Sequence, residues 1–221
     1  MKRVLIFGDS NSWGYTDQDN GHRYEKRWPV LLNQKLIQKG FNIEILEDCL
    51  PGRTTNINDL QDGAHLNGAK VLKSSLLAHS PIDFVLILLG TNDLKVRFQR
   101  SAENIADGIK ELIQIVFETN SGTGSWHDQN KSKLIIICPP ALGEKSNDPT
   151  WLNFDEWVGG LDKSKQLYYS FEKVCSHMGV DLIDANQFCQ SSNIDPIHWP
   201  KPMHQRFSEN LAKILEQKIK L

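Results

Sequence analysis

One feature constrains the fold of this chain above all others: short apolar runs alternate with longer amphipathic stretches. The runs RVLIF (3–7), NIEILED (42–48), DFVLILLG (83–90), KLIIIC (133–138) and VDLIDA (180–185) read as strands. DFVLILLG is apolar almost throughout, as a central parallel strand covered on both faces should be. The intervening stretches 25–40, 65–80, 102–119 and 161–179, and the closing 206–221, read as helices. In the first of these Trp28, Leu31, Leu32, Leu36 and Ile37 recur at helical spacing, and Gly40 is the stop. In the last, Phe207, Leu211, Ile214, Leu215 and Ile219 share one face. Alternating strand and helix implies a parallel sheet with helices on both sides. Right-handed crossovers leave few topologies. The expected fold is α/β: a three-layer α/β/α sandwich around a five-stranded parallel, flavodoxin-like sheet. The 221 residues suit one domain, 1–221, with no internal repeat.

Composition excludes several function classes. A formal net charge of -2 gives no basic face for nucleic acid. No run of 18 apolar residues exists, so no membrane span is expected. The opening MKRVLIFGDS lacks a small-residue cleavage site and reads as the first strand, which points to a cytoplasmic location. Cys49, Cys138, Cys175 and Cys189 form no CxxC pair and read as free thiols. The histidines and cysteines show no metal-ligand spacing, so no metal is expected. His22, His79, His127 and His177 read as surface or helix-end residues, and His204 is given no role. Two long loops remain, 120–131 and the tryptophan-bearing 141–160; loops of that length are usually functional or partner-binding.

In such a sheet, ligands bind beyond the carboxyl ends of the strands. Asp9, Ser10, Asn11 and Ser12 follow the first strand, and CLPGRTTN, with Gly52, follows the second. GTND, with Asn92 and Asp93, follows the third, and DPIHW, with Asp195 and His198, comes after the fifth. A hydroxyl, an imidazole, a carboxylate and amide donors are the parts that acyl transfer needs. Each has a plainer reading. Ser10 alone could be a turn or N-cap serine, Gly52 a turn glycine, and Asn92 a helix cap. The G-x-S-x-G elbow is absent, because Ser12 stands where its second glycine belongs. DGAHL (62–66) repeats the Asp-x-x-His spacing, so Asp62 and His65 rival Asp195 and His198. Context favours His198: its loop can reach back over the strand ends, and Pro196 narrows that loop's freedom.

Taken in order, FGDSNSWG, PGRTT, LGTND and DPIH resemble the four blocks of the SGNH (GDSL-type) hydrolase superfamily, across almost the whole chain. The resemblance implies the SGNH hydrolase fold, Ser10 as nucleophile, His198 as base and Asp195 as its orienting carboxylate. It implies an oxyanion hole formed by the Ser10 and Gly52 amides and the Asn92 side chain. RTTNINDLQDGAHLNGAKVL, LGTNDLK and PPAL are similar to the arylesterase, acyltransferase and perhydrolase branch. That branch implies Trp13 beside the nucleophile, a small-molecule ester substrate, no cofactor and a homo-octamer. It also implies long aromatic loops narrowing the site, a role that 120–131 and 141–160 fit. Pro196 and Trp199 depart from the Gly and Leu common in the superfamily, which affects the shape of the histidine loop. The resulting expectation is a serine esterase for short-chain acetyl or aryl esters, with acyl transfer to alcohols or peroxide as a further activity. The alternatives are a carbohydrate deacetylase with the same triad, and a non-catalytic ligand-binding module. The last lacks a glycine-rich phosphate loop.

Overall fold

The computed structural model describes residues 1–220. The strands are β1 (Lys2–Gly8), β2 (Ile43–Cys49), β3 (Phe84–Leu88), β4 (Lys133–Cys138) and β5 (Asp181–Asp184). They form one sheet in the order β2-β1-β3-β4-β5, with every pairing parallel. Val4 stands beside Ile45 on one side and Phe84 on the other. The helices are α1 (Ser10–Trp13), α2 (Trp28–Gln38), α3 (Gly68–His79), α4 (Ala102–Glu118), α5 (Phe154–Trp157), α6 (Gly160–Met178) and α7 (Lys201–Ile219).

Strand periodicity divides the interior into two cores. Leu5 and Phe7 of β1 join Val85 and Ile87 of β3 beneath α3, α4 and α6. Val4 and Ile6 join Leu86 and Leu88 beneath α2 and α7. All five residues of β3 are buried, so a one-residue slip would exchange the two sets of side chains. Burying each such side chain contributes about 1.5–3 kcal/mol, which holds the register. The result is the expected three-layer α/β/α sandwich with a five-stranded parallel sheet. The four cysteines are free thiols. Among the described residues, no helix is long and apolar enough to cross a membrane.

Element edges differ from the sequence reading for local reasons. α3 starts at Gly68 rather than 65, because Ala64–Leu66 closes a 3₁₀ turn and the Asn67 side chain then caps the helix. α7 starts at Lys201 rather than 206. Pro202 sits in its first turn, where a fixed φ and a missing N–H cost nothing. The predicted end of that helix, Leu221, lies outside the described residues. α5 forms inside the stretch read as a 141–160 loop.

The 120–131 loop does not fit the role of narrowing the site. It runs from α4 to β4, and in a parallel sheet every helix-to-strand connection returns to the amino ends of the strands. Ser121 O accordingly accepts from Ile82 N at 2.7 Å, just before β3 begins. The 141–160 segment leaves the carboxyl end of β4 and lies on the other side, where Gly143 N donates to Pro196 O at 2.8 Å.

Candidate active site

β1 ends at Gly8, and the chain turns at once into the single turn of α1. Asp9 caps that turn: its Oδ1 accepts from Asn11 N at 3.0 Å. Ser10 is therefore the first helical residue, held at the carboxyl end of a central strand and 4% exposed.

The loop before α7 brings His198 to it. His198 Nε2 lies 3.0 Å from Ser10 Oγ, and His198 Nδ1 lies 2.6 Å from Asp195 Oδ2. Asp195 also shapes the loop from within, since its Oδ1 accepts from Ile197 N at 2.9 Å and His198 N at 3.2 Å. Burial opposes ionisation of Asp195. The His198 hydrogen bond and charge, with the two amides, outweigh it and hold the carboxyl below its ordinary range. Tyr15 lies against the imidazole, with ring centroids 4.2 Å apart.

The other predicted residues gather at neighbouring strand ends. Gly52 lies in the turn after β2 with φ +86°, a left-handed conformation that suits glycine. Asn92 opens the 3₁₀ turn after β3. Its Nδ2 donates to Arg53 O at 3.1 Å, and the amide carries a second hydrogen. Asp93 ties the same two loops: it accepts from Thr55 N at 2.9 Å and Thr55 Oγ1 at 2.6 Å, and pairs with Arg100 at 2.6 Å. Trp13 is half-buried on α1, with the Arg23 guanidinium 5.5 Å from its ring centroid.

The rival pair is not assembled. Asp62 and His65 are exposed, and the Asp62 carboxylate pairs with Arg97 at 2.7 Å. His204 is buried away from Ser10, with Nδ1 accepting from Trp28 N at 3.2 Å.

Three residues near the site carry no role in the sequence reading. Arg53 packs over the Phe7 ring at 4.0 Å and donates to Gly8 O, Asp48 O and the Asp48 carboxylate, so it ties the ends of β1 and β2. Asn11 bridges to the histidine loop, and Tyr15 stacks on His198. Their only sequence signal is that they sit inside or beside the four blocks. Asp9 is buried, and desolvation pushes its pKa up to about 6 against the Asn11 amide and the charges of His198 and Arg53. A hydroxyl bonded to an imidazole, itself held by a carboxylate, is a group that can be deprotonated as it attacks a carbonyl.

The GDSL-like lipase/acylhydrolase family model matches residues 6–205. The chain belongs to that family. GDSL-like hydrolases act on carboxylic esters, and the similar proteins place this member in the arylesterase branch. The inhibitor-bound aryl esterase of M. smegmatis is 32% identical, with a TM-score of 0.87 over 98% of this chain and 99% of that one. A carbohydrate acetylesterase from Sinorhizobium meliloti is 31% identical, with a TM-score of 0.86 over 98% and 99%. An arylesterase from Vibrio mimicus is 28% identical over 147 residues, 66% of this chain. The chain spans 60% of that relative's length.

Proposed function

We propose that this GDSL-like hydrolase cleaves short-chain acetyl or aryl esters through an acyl-enzyme on Ser10. The observation that carries the reading is the unbroken chain from Ser10 Oγ through His198 to Asp195, at 3.0 and 2.6 Å. His198 Nε2 takes the Ser10 proton as Oγ bonds to the ester carbonyl carbon. Asp195 holds the Nδ1–H tautomer and stabilises the imidazolium. The Ser10 and Gly52 amides and the free hydrogen of Asn92 Nδ2 receive the oxyanion. The carbon–oxygen bond to the leaving group then breaks, and His198 returns the proton to the departing alcohol or phenol. Water repeats the sequence on the acyl-enzyme and releases the acid. An alcohol or peroxide in place of water makes the same step an acyl transfer, a branch of the reading that rests on the resemblance to the acyltransferase and perhydrolase group. Trp13, on the same helical turn as Ser10, is assigned to substrate binding.

The test is incubation with p-nitrophenyl acetate and with paraoxon, followed by mass spectrometry. Turnover lost together with a phosphoryl adduct on Ser10 supports the reading. A folded protein with neither turnover nor adduct overturns it and favours a ligand-binding module.

A second reading, carbohydrate deacetylation with the same triad, is favoured by the likeness to the Sinorhizobium meliloti acetylesterase. Faster release of acetate from acetylated xylan than from phenyl acetate would select it. We also propose one domain, from the length of the chain, and a homo-octamer, resting on the branch resemblance. Eight copies of a 25.2 kDa chain give a mass of about 200 kDa by light scattering.

A further inference from the structure

Nucleophile and base come from opposite ends of the chain, 188 residues apart. A 3.0 Å contact between them needs something that fixes one loop against the other. Asp195 folds the histidine loop on itself, but its side-chain bonds are all internal to residues 195–198. Ser192 steadies the same loop from its own side, donating backbone N–H to His198 O at 3.0 Å and accepting Asp195 N at 2.8 Å on its hydroxyl. Gly143 N holds Pro196 O from the β4 side. None of these reaches α1.

Asn11 does. It follows Ser10 directly and is 1% exposed. Its Oδ1 accepts from Trp199 N at 3.0 Å, and its Nδ2 donates to Ile197 O at 3.3 Å. One side-chain amide therefore grips the backbone on both sides of His198. The side chain is fixed in turn, because Asn11 N donates to Asp9 Oδ1 and its own backbone lies within α1. Trp199 anchors the far side: it is fully buried and packs on Phe207 with centroids 5.0 Å apart. Asparagine is suited to this place because it offers an acceptor and a donor on one planar group. Aspartate keeps only the acceptor, and leucine keeps neither.

We propose that Asn11 is a positioning residue that sets the distance and angle between His198 and Ser10. This rests on the reading of Ser10 as nucleophile and His198 as base. A displacement of about 1 Å from reacting geometry is enough to cost roughly 10²-fold in rate.

The experiment compares wild type, Asn11→Leu and Asn11→Asp on p-nitrophenyl acetate, with competent sites counted by paraoxon titration. The expected result for N11L is a roughly 10- to 100-fold fall in kcat per titrated site, with KM within about threefold. N11D, which retains the acceptor for Trp199 N, should fall between N11L and wild type. The downfield Nδ1–H proton resonance of His198, held by Asp195, should shift or broaden in both variants. A purely structural role would lower the count of sites and the melting temperature but leave the rate per site unchanged, and that outcome overturns the proposal. If N11L does not fold, N11D decides alone: a wild-type rate per site in it has the same overturning force. Failure of wild type itself to label at Ser10 would instead remove the triad reading on which the proposal stands.

Discussion

Ser10→Ala and His198→Ala remove opposite ends of one 3.0 Å hydrogen bond, so each alone should disable the unit. The expected loss is about 10⁶ in kcat for either, and the double variant should be no worse than the singles. Asn92→Ala removes one of the proposed oxyanion donors and should cost about 10²–10³ in kcat. His65→Ala should leave kcat unchanged, since His65 is exposed and takes no part in the chain from Ser10 to Asp195. Initial rates on p-nitrophenyl acetate check all four, and a dead H65A beside an active H198A would reverse the assignment. That Ser10, Asp195 and His198 would meet at the strand ends was legible because four short blocks occur in one order, each after a predicted strand. The contacts of Asn11 and Tyr15 with residues 197–199 were not, because they cross more than 180 positions and leave no local period. Asp9 carries a different prediction. Burial raises its pKa from 3.8 to about 6, so the folded state keeps a proton that the unfolded chain releases. Its contribution to stability is present below pH 3.8 and is lost as the pH rises through about 6. A rise of that size corresponds to about 3 kcal/mol. Asp9→Asn should therefore stabilise the protein at pH 8 by up to about 3 kcal/mol more than at pH 4, read from urea unfolding. An equal effect at both pH values would mean that Asp9 is ionised in the fold throughout.

The helix α4 was the most legible element, with clean amphipathic spacing and a capping box between Ser101 and Asn104. The four-residue helices α1 and α5 were illegible for the converse reason: one turn is too short to show a period. α4 also contains an apparent flaw, Gly108 in its interior, where alanine is ordinarily better by about 1 kcal/mol. The structure explains it. A Cβ at Gly108 would stand 2.6 Å from Asn56 Oδ1 and 2.8 Å from Thr55 Cβ. The helix lacks a side chain there so that the loop after β2 can lie close against it. Gly108→Ala should consequently destabilise by about 1–3 kcal/mol instead of stabilising. For a chain of this length that lowers the melting temperature by about 2–4 °C per kcal/mol. Thr55 also holds Asp93, the neighbour of Asn92, so kcat should fall together with stability. A raised melting temperature in G108A would show that the loop yields without cost.

The sheet order was readable because a parallel α/β chain of five strands has few right-handed solutions, while the placing of loops at either end needed the topology first. That topology puts the two faces of the sheet under different helices, and the α2 and α7 face holds a buried titratable group. His204 is fully buried on α7, and its Nδ1 accepts from Trp28 N, in the first turn of α2. Tyr24 and Trp199 pack on its ring. Desolvation lowers its pKa from 6.5 to about 4; the charges of His198 and Arg27 act the same way, and that of Asp19 opposes them. Here the unfolded chain binds the extra proton between those values. Stability is whole above pH 6.5 and falls as the pH drops through about 4, by about 3 kcal/mol for this one group. Asp9 acts with the opposite sign over nearly the same window, gaining stability as the pH falls from about 6 to 3.8. These two contributions offset each other in the native protein, so the part of the acid response that belongs to either emerges when the other is removed. His204→Asn retains an acceptor for Trp28 N but has no proton to gain. Relative to wild type, its urea stability should improve by about 3 kcal/mol from about pH 7 to pH 4, whatever the cavity left by the smaller side chain costs at neutral pH. Asp9→Asn should change in the reverse direction over the same interval. Parallel pH profiles for wild type and H204N would show that His204 takes up its proton as readily in the fold as in the unfolded chain, and that its burial adds no acid sensitivity to the α2 and α7 face.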